Sequence, residues 1–329
     1  MTRFLTVCRE DREAAEGALA PAAARSAGAL RETPEEPDPF RTAFERDRDR
    51  ILHSKAFRRL KHKTQVFMNP DGDHYVTRLT HTLQVTQVGR ALAAALGLNQ
   101  ALTEAICLGH DVGHSPFGHT GEEALSPYVE GEWHHAAQSV RVVRVLEPLN
   151  PTLEVLDGIR AHSWKVDPPP ETAEAHLCRF ADRIAYLSHD VEDALRAGVI
   201  AAAEVPGRDV LGDPGSGWIA AMIGAVVEGT HAAGRVAMTE GVAATMQTVR
   251  DFMFERVYLR PEAEPQRRMA IRVIRGLVDH YLEHPAQIPD SYRHPGADPV
   301  TQVLDYVSGM TDRFALADFD RIGGGADRA

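Results

Sequence analysis

The sequence predicts an all-α fold with one short β-hairpin. Apolar residues recur at helical spacing in several long segments, and almost no segment shows the alternation of a long strand. The 329 residues are 43% hydrophobic and 25% charged, as in an ordinary globular protein. We therefore expect an N-terminal arm over residues 1–40 and one helical core with a C-terminal helical extension over residues 41–329.

The elements follow in order along the chain. A short helix and an extended Pro-rich arm are expected first, and a charged helical segment begins near Arg41. The segment "TQVFMNPDGDHYV" predicts two short extended pieces around a Pro-Asp-Gly turn. "TRLTHTLQVTQVGRALAAAL" and "QALTEAICLGHDVG" predict two helices separated by "GLN", and "AEAHLCRFADRIAYLSHDVEDALRAG" predicts a long amphipathic helix that ends at Gly198.

Charge and cysteine content exclude several classes of protein. The net charge of −11 disfavours a non-specific nucleic-acid binder but leaves room for a local cationic pocket. Three widely spaced cysteines form no disulfide framework, which suits a reducing cytosol. The apolar runs are too short for a membrane span, so a cytoplasmic protein without membrane contact is expected. The basic run Arg46–Lys63 is either a solvated helix face or a phosphate-binding surface.

The segment "CLGHDVGHSPFGHTGEE" carries several titratable groups where a helix is expected to end. It is either a polar loop or half of a metal site. If the helices around "GLN" form an antiparallel hairpin, His81 lies roughly 24 Å and His110 roughly 17 Å from the turn, at 1.5 Å per residue. Both histidines can therefore approach one point at the far end of the hairpin.

The long helix could supply an acidic ligand. Asp182, Tyr186 and Asp190 recur every fourth residue, within an arc of roughly 80° on the helix surface. The stripe is either a solvated polar face or an inward face that serves a site. Two imidazoles and two carboxylates suit Mn²⁺, Fe²⁺, Co²⁺, Ni²⁺ or Mg²⁺ with open water positions better than a closed zinc site.

These residues form the H…HD…D pattern of HD-domain phosphohydrolases. Further motifs, "RDRDRILHSKAFRRLKHKTQVF", "GHDVGHSPFGHTGEEAL" and "ADRIAYLSHDVEDAL", resemble the deoxyguanosinetriphosphate triphosphohydrolase-like family over most of the chain. The resemblance implies an HD-domain helical bundle. It also implies a divalent metal ion with four ligands, which are His81, His110, Asp111 and Asp182.

The resemblance further implies a deoxyribose site. Asp190 and Gln65 would bond to the 3′-hydroxyl, and Tyr186 would pack beneath C2′ and leave no room for a ribose. A buried donor–acceptor pair rejects a ligand that leaves it unmatched. Such a site would therefore select deoxynucleotides.

Basic side chains would hold the phosphates. The resemblance implies this role for Arg78, one turn before His81, and for Arg183, because a guanidinium fork matches phosphate oxygens. In "EWHHAAQSV", His135 is the family's substrate-site histidine. Ala136 stands where the family has asparagine, which leaves the support of His135 open.

Three side chains beyond the metal pair are candidates for catalysis. Expulsion of a 5′-alkoxide needs a proton, which a histidine can supply near neutral pH, and His119 is the candidate acid. Glu122 could orient it if a helix starts at Thr120, but Thr120 and Glu123 also fit a capping box, so one glutamate could merely cap. His114 is expected to touch the triphosphate.

The sequence thus predicts a metal-dependent dNTP triphosphohydrolase. Water activated by the metal would attack the α-phosphorus and give a deoxynucleoside and inorganic triphosphate. The alternatives are another HD phosphohydrolase, such as a nucleoside monophosphatase or a phosphodiesterase, and a non-catalytic nucleotide-sensing or nucleic-acid-binding HD module. The resemblance also implies a homo-oligomer, and it leaves open a dNTP activator and single-stranded nucleic acid as partners.

Overall fold

A computed structural model describes residues 5–65 and 76–323, and its regular elements are helices. In chain order they are Arg9–Ala15 (α1), Ala43–His53 (α2), Lys55–Arg59 (α3), Arg78–Leu96 (α4), Gln100–Gly109 (α5), Gly118–Leu125 (α6), His135–Arg141 (α7), Leu153–Arg160 (α8), Ala173–Arg196 (α9), Arg208–Leu211 (α10), Ser216–Ala233 (α11), Glu240–Met253 (α12), Glu264–Glu283 (α13), Pro299–Ser308 (α14) and Asp312–Arg321 (α15). Short 3₁₀ and π-type turns connect several of them.

The expected β-hairpin over residues 64–76 is not supported. The residues that the structure describes contain no strand, and only an isolated antiparallel bridge joins Thr64 to Thr77. The expected tip, residues 66–75, lies outside the described residues. A single bridge needs only two residues in register, whereas independent stability of a β-structure needs several paired strands.

The α4–α5 hairpin forms the centre of the larger core. Gly97 ends α4 with a positive φ of 65°, and the Asn99 side chain caps α5 by accepting from two backbone N–H groups. A methyl group on Gly89 would lie 2.9 Å from Cys107 Sγ, so glycine permits the close approach of α4 and α5. α9 packs along both helices and α2 packs on α5, which places the three helices that carry the H…HD…D residues side by side.

A second core lies against the other side of the histidine segment. It is formed by α6, α13, α14 and α15, and it buries Leu125, Leu277, Val303 and Phe319. Arg141 of α7 makes a bidentate contact with buried Asp305 of α14. The loop between α5 and α6 therefore lies between two packed cores, which fixes the histidines that it carries.

Two further chain-wide observations concern membranes and thiols. Along residues 5–65 and 76–323, no helix has the length and apolar character needed to cross a lipid bilayer. Cys8, Cys107 and Cys178 are free thiols, and the latter two are buried. Buried thiols of this kind act as small apolar groups in a core.

Candidate active site

Three of the side chains that the sequence selects as metal ligands converge. His81 lies in the first turns of α4, His110 follows α5, and Asp182 lies in the middle of α9. Asp182 Oδ1 is 3.1 Å from His81 Nε2 and 3.9 Å from His110 Nε2. One donor atom from each residue lies within 4.8 Å of the other two, so a single ion could contact all three.

The orientation of His110 fits metal binding. Its Nδ1 lies 2.6 Å from the backbone oxygen of Cys107, so Nδ1 carries the proton and Nε2 presents a lone pair. That Nε2 is buried and has no hydrogen-bond partner among residues 5–65 and 76–323. Burial alone would raise the pKa of Asp182, but the hydrogen bond from His81 and the nearby histidines lower it to about 2. The site therefore offers a carboxylate and a free imidazole nitrogen to a divalent cation.

Asp111 lies at the edge of this cluster. Its Oδ1 is 3.5 Å from His110 Nε2, and its Oδ2 accepts a 2.7 Å hydrogen bond from Arg78. It forms a second group of closely spaced donor atoms with His114 and His135. Arg78 is buried, and its Nε and Nη2 have no hydrogen-bond partner among the described residues, which leaves two donors for an anion.

The loop after the metal cluster does not cap α6 as the sequence suggested. The helix begins at Gly118 rather than Thr120, and Phe117 precedes it in the left-handed region with a φ of 61°. Thr120 therefore lies inside the helix, where its side chain cannot act as the N-cap. Glu123 instead forms an ion pair with Arg267 of α13, so the proposed capping box is wrong.

Glu122 contacts a different histidine from the expected one. Its Oε1 lies 2.5 Å from His135 Nδ1 and also accepts from the backbone N–H of His135, so the expected contact with His119 is replaced. Burial would lower the pKa of His135, but the Glu122 carboxylate beside it raises that pKa. Glu122 thus holds His135 in place from α6.

His114 and His119 face the same space. The His114 ring stacks on His135 at 4.4 Å between centroids and meets His119 edge-on at 5.5 Å. His114 is buried, and neither of its ring nitrogens has a hydrogen-bond partner in the described part of the chain. Burial lowers the pKa values of His114 and His119, and the positive charge of Arg78 lowers them further. Both rings are thus mainly neutral near pH 7.

Comparisons with known proteins find two family models and several relatives. The HD domain model matches residues 78–187, and the phosphohydrolase-associated domain model matches residues 236–321. A deoxyguanosinetriphosphate triphosphohydrolase-like protein of Caldanaerobacter subterraneus is 43% identical over 316 residues, which cover 92% of each chain. A protein of the same name from Clostridium perfringens is 42% identical, covering 89% of this chain and 90% of the relative.

The chain belongs to the deoxyguanosinetriphosphate triphosphohydrolase-like family. It is therefore an HD phosphohydrolase. Among solved structures, a phosphohydrolase from Bacteroides thetaiotaomicron has a TM-score of 0.54 at 18% identity, and the match covers 84% of this chain and 69% of that one. At this identity the likeness concerns the fold alone.

In this triphosphohydrolase-like chain, the stripe Asp182, Tyr186 and Asp190 on α9 is buried only in part. Asp190 is buried, and Tyr258 donates a 2.6 Å hydrogen bond to its Oδ2. Burial raises the pKa of Asp190 to about 7. Tyr186 is half-buried, and the Oε1 atom of Gln65 is buried with no hydrogen-bond partner among the described residues. These groups could meet a sugar hydroxyl.

Arg183 lies apart from the metal cluster. Its guanidinium sits 4.7 Å from the centroid of the Trp164 ring, on a neighbouring face of α9. Arg183 also lines a cavity together with Trp164 and Phe180. The structure therefore places Arg183 beside the site, where it faces a pocket rather than the histidines.

Two residues at the site were missed by sequence reasoning. His162 is buried, with Nε2 3.0 Å from His135 Nε2 and Nδ1 2.8 Å from the Ile159 oxygen. Its only signal is that it follows an apolar helical pattern, which a core histidine would also do. Tyr258 gave no signal, because a single tyrosine near the end of a helical segment is common.

Proposed function

We propose that this chain is a metal-dependent dNTP triphosphohydrolase that releases a deoxynucleoside and inorganic triphosphate. The observation that carries the proposal is the convergence of His81, His110 and Asp182. His110 Nε2 faces this cluster and has no hydrogen-bond partner among the residues that the structure describes. The names of the relatives supply the substrate class, since they are called deoxyguanosinetriphosphate triphosphohydrolase-like proteins.

A divalent cation fits the donor set. His81, His110 and Asp182 would hold it, and Asp111 Oδ1 lies close enough to His110 to contribute a fourth ligand. When bound, such an ion acidifies water and neutralises charge that develops on phosphate oxygens. Mixed nitrogen and oxygen ligands are compatible with Mn²⁺, Fe²⁺, Co²⁺, Ni²⁺ or Mg²⁺.

The side chains around the cluster would handle the phosphate and the leaving group. Arg78 Nε and Nη2, which have no partner in the described part of the chain, would hold phosphate oxygens and disperse their charge in the transition state. His119 reaches solvent, and the negative phosphates of a bound nucleotide would raise the pKa of its ring. The ring would then take up a proton and donate it to the departing 5′-oxygen. His114 would contact the triphosphate through a ring nitrogen that lacks a partner in the described residues.

Glu122 and His135 would form the wall of the reaction site. Because Glu122 accepts from His135 Nδ1, the Nε2 edge of that ring faces Asp111 and His162. Ala136, the next residue on α7, is buried and has no polar side chain, so Glu122 would orient the His135 ring in place of an asparagine. Glu122 would thus act as a positioning residue.

The nucleoside would lie toward the C-terminal half of α9. Asp190 lies two turns beyond Asp182, roughly 12 Å along the helix. Its carboxyl, which has a near-neutral pKa, would bond to the 3′-hydroxyl together with Gln65 Oε1, which has no partner among residues 5–65 and 76–323. Tyr186 lies between Asp182 and Asp190 on α9 and would close the space that a ribose 2′-hydroxyl needs.

Product analysis tests the proposal. We expect protein supplied with Mn²⁺ and each dNTP, singly and mixed, to release deoxynucleoside and triphosphate in equal amounts. Asp182→Ala is the matched inactive control. Release of orthophosphate or pyrophosphate instead would assign another HD phosphohydrolase activity. Binding of dNTPs without turnover under every mixture would favour a non-catalytic sensing module.

A further inference from the structure

A buried lysine lies outside the set of residues that the proposed reaction uses. Lys63, the last residue of the basic run, is 2% exposed. Its amine donates to the backbone oxygens of His114 and Ser308, the latter at 2.9 Å. Burial lowers the pKa of the amine to about 7, and the nearby charge of Arg59 lowers it further. Keeping this amine inside the protein costs free energy, which its two carbonyl contacts have to offset.

Both carbonyl groups lie where a helix leaves its acceptors unpaired. Ser308 is the last residue of α14, and the last four carbonyls of a helix have no partner inside it. His114 lies in the irregular segment 110–117 between α5 and α6, which we call the histidine loop. A lysine near a helix C-terminus also interacts favourably with the helix dipole. Lys63 therefore joins the end of α14 to the histidine loop.

Asp312 makes a second connection between the same two parts of the molecule. It is the first residue of α15, and its Oδ1 accepts from the backbone N–H of Phe117 at 3.0 Å. Its Oδ2 accepts from the backbone N–H of Thr64 at 2.9 Å and also from the hydroxyl of that residue. Phe117 has a positive φ of 61°, which non-glycine residues rarely adopt. The carboxylate therefore stabilises a strained turn at the start of α6.

The segment around Lys63 also connects two candidates for substrate binding. The Lys63 backbone oxygen accepts from the N–H of Arg78, which begins α4, at 3.2 Å. Thr64, which donates to Asp312, directly precedes Gln65. Lys63 and Thr64 thus connect the phosphate candidate Arg78 and the sugar candidate Gln65 to the second core.

We propose that Lys63 and Asp312 are positioning residues, which clamp the histidine loop and the start of α4 to the second core in the arrangement that catalysis needs. The proposal rests on the proposed function, which gives His114 and Arg78 contacts with the phosphates. Both residues act through the backbone of other residues, so neither has to touch the substrate. A misplacement of about 1 Å can slow an enzyme about 100-fold. Turnover should therefore depend on the contacts with α14 and α15.

Methionine in place of Lys63 tests the first contact. Its side chain has a similar length but cannot donate a hydrogen bond, so both carbonyl groups lose their partner. We expect kcat of Lys63→Met to fall between about 10- and 100-fold, with metal stoichiometry unchanged because the metal ligands keep their own contacts. Lys165→Met, which changes an exposed lysine, is the control and should turn over as the wild type does.

Alanine in place of Asp312 tests the second contact and has a matched control on the same helix. Asp318 of α15 is 6% exposed and bonds to Tyr281 of α13 and to Arg321. Asp312→Ala and Asp318→Ala should both lower the melting temperature, but only Asp312→Ala should lower kcat about tenfold or more. An equal loss of kcat in both variants would indicate general support of the core and would overturn the clamp.

A double-mutant cycle shows whether Lys63 acts through His114. In a His114→Ala background, Lys63→Met should lower kcat by less than about a further threefold, since changes in residues that act through each other are not additive. An undiminished effect would mean that the amine supports the protein elsewhere, and it would overturn the assigned role. Asp312→Ala carries the test if Lys63→Met does not fold.

Histidine NMR tests the clamp without turnover. The His114 ring stacks on His135 at 4.4 Å between centroids, so its ¹⁵N signals depend on how the loop is held. In metal-stripped protein labelled with ¹⁵N-histidine, Lys63→Met and Asp312→Ala should shift the His114 signals and leave those of exposed His284 unchanged.

The outcomes separate the clamp from the proposed function. In a protein that releases triphosphate from dNTPs, unchanged kcat in both clamp variants overturns the clamp. In a protein that never hydrolyses dNTPs, shifted His114 signals keep the clamp and reject only the proposed reaction. Unchanged His114 signals in that protein overturn both.

Discussion

Replacing Glu122 by glutamine should cost substantially more stability than the same change at its neighbour Glu123. Burial would raise the pKa of the Glu122 carboxyl, but His135 lowers it from 4.5 to about 2. At roughly 1.4 kcal/mol per pKa unit, the carboxylate stabilises the fold by about 3 kcal/mol. Glu123 is exposed and pairs with Arg267 at the surface, so its loss should cost less than about 1 kcal/mol.

The pH dependence of this difference follows from the two partners. Glu122 has a lowered pKa, so its contribution is present above about pH 4.5 and is lost as the pH falls toward about 2. His135 has a raised pKa, so its contribution is full below about pH 6.5 and is lost as the pH rises through its folded value. The difference between the variants should therefore be largest between about pH 5 and pH 6.5.

Urea unfolding of the metal-stripped variants measures this effect. The wild type, Glu122→Gln and Glu123→Gln are compared at pH 6 and again at pH 9, where the gap should have narrowed. Equal stability of the two variants at pH 6 would refute the buried Glu122–His135 pair. It would also leave undecided which of the two glutamates supports the site, as the sequence alone does.

Three further predictions concern the site itself. His81→Ala and Asp182→Ala should each lose the divalent metal, and stoichiometric metal by elemental analysis in either variant would contradict its role as a ligand. His119→Ala should keep metal and nucleotide binding but lose about 10²- to 10⁴-fold in rate, whereas the same change at partly exposed His134 should leave turnover unchanged; near-normal rates in both would make His119 a bystander. Tyr186→Ala should admit ribonucleoside triphosphates, raising their kcat/KM relative to dNTPs by about tenfold or more, and unchanged discrimination would count against its sugar contact.

The sequence predicted the helices that carry the site because helical periodicity is a local signal. The α4–α5 hairpin was expected from "GLN", and Gly97 and Asn99 do end one helix and cap the next. The geometric estimate that His81 and His110 approach one point agrees with their common proximity to Asp182. This agreement required only helix rise and an antiparallel turn.

Other features of the site depended on contacts that periodicity cannot show. Glu122 bonds to His135, which lies 13 residues further along the chain and beyond an irregular segment. His162 lies two residues beyond α8, and the packing of α8 against α7 brings His135 and His162 together. The start of α6 was misplaced because the left-handed conformation of Phe117 lets the helix begin at Gly118, before the Thr120 expected to cap it.

Arg183 shows that position in the sequence does not give the direction of a side chain. The resemblance implies that it holds phosphate oxygens, which stays a prediction, and its guanidinium lies against Trp164. Trp164 belongs to the loop before α9, so only the tertiary structure brings the two side chains together. Arg183 and Trp164 also line one cavity, whose position net charge alone could not show.

Isotope transfer from water is the most direct test of the proposed phosphohydrolase reaction. Hydrolysis of a dNTP in H₂¹⁸O should place one ¹⁸O atom on the terminal phosphorus of inorganic triphosphate, because water attacks the α-phosphorus and the 5′-oxygen leaves with the deoxynucleoside. The isotope shift in ³¹P NMR locates the label. Recovery of ¹⁸O in orthophosphate, in pyrophosphate or in the 5′-hydroxyl of the deoxynucleoside would contradict the account.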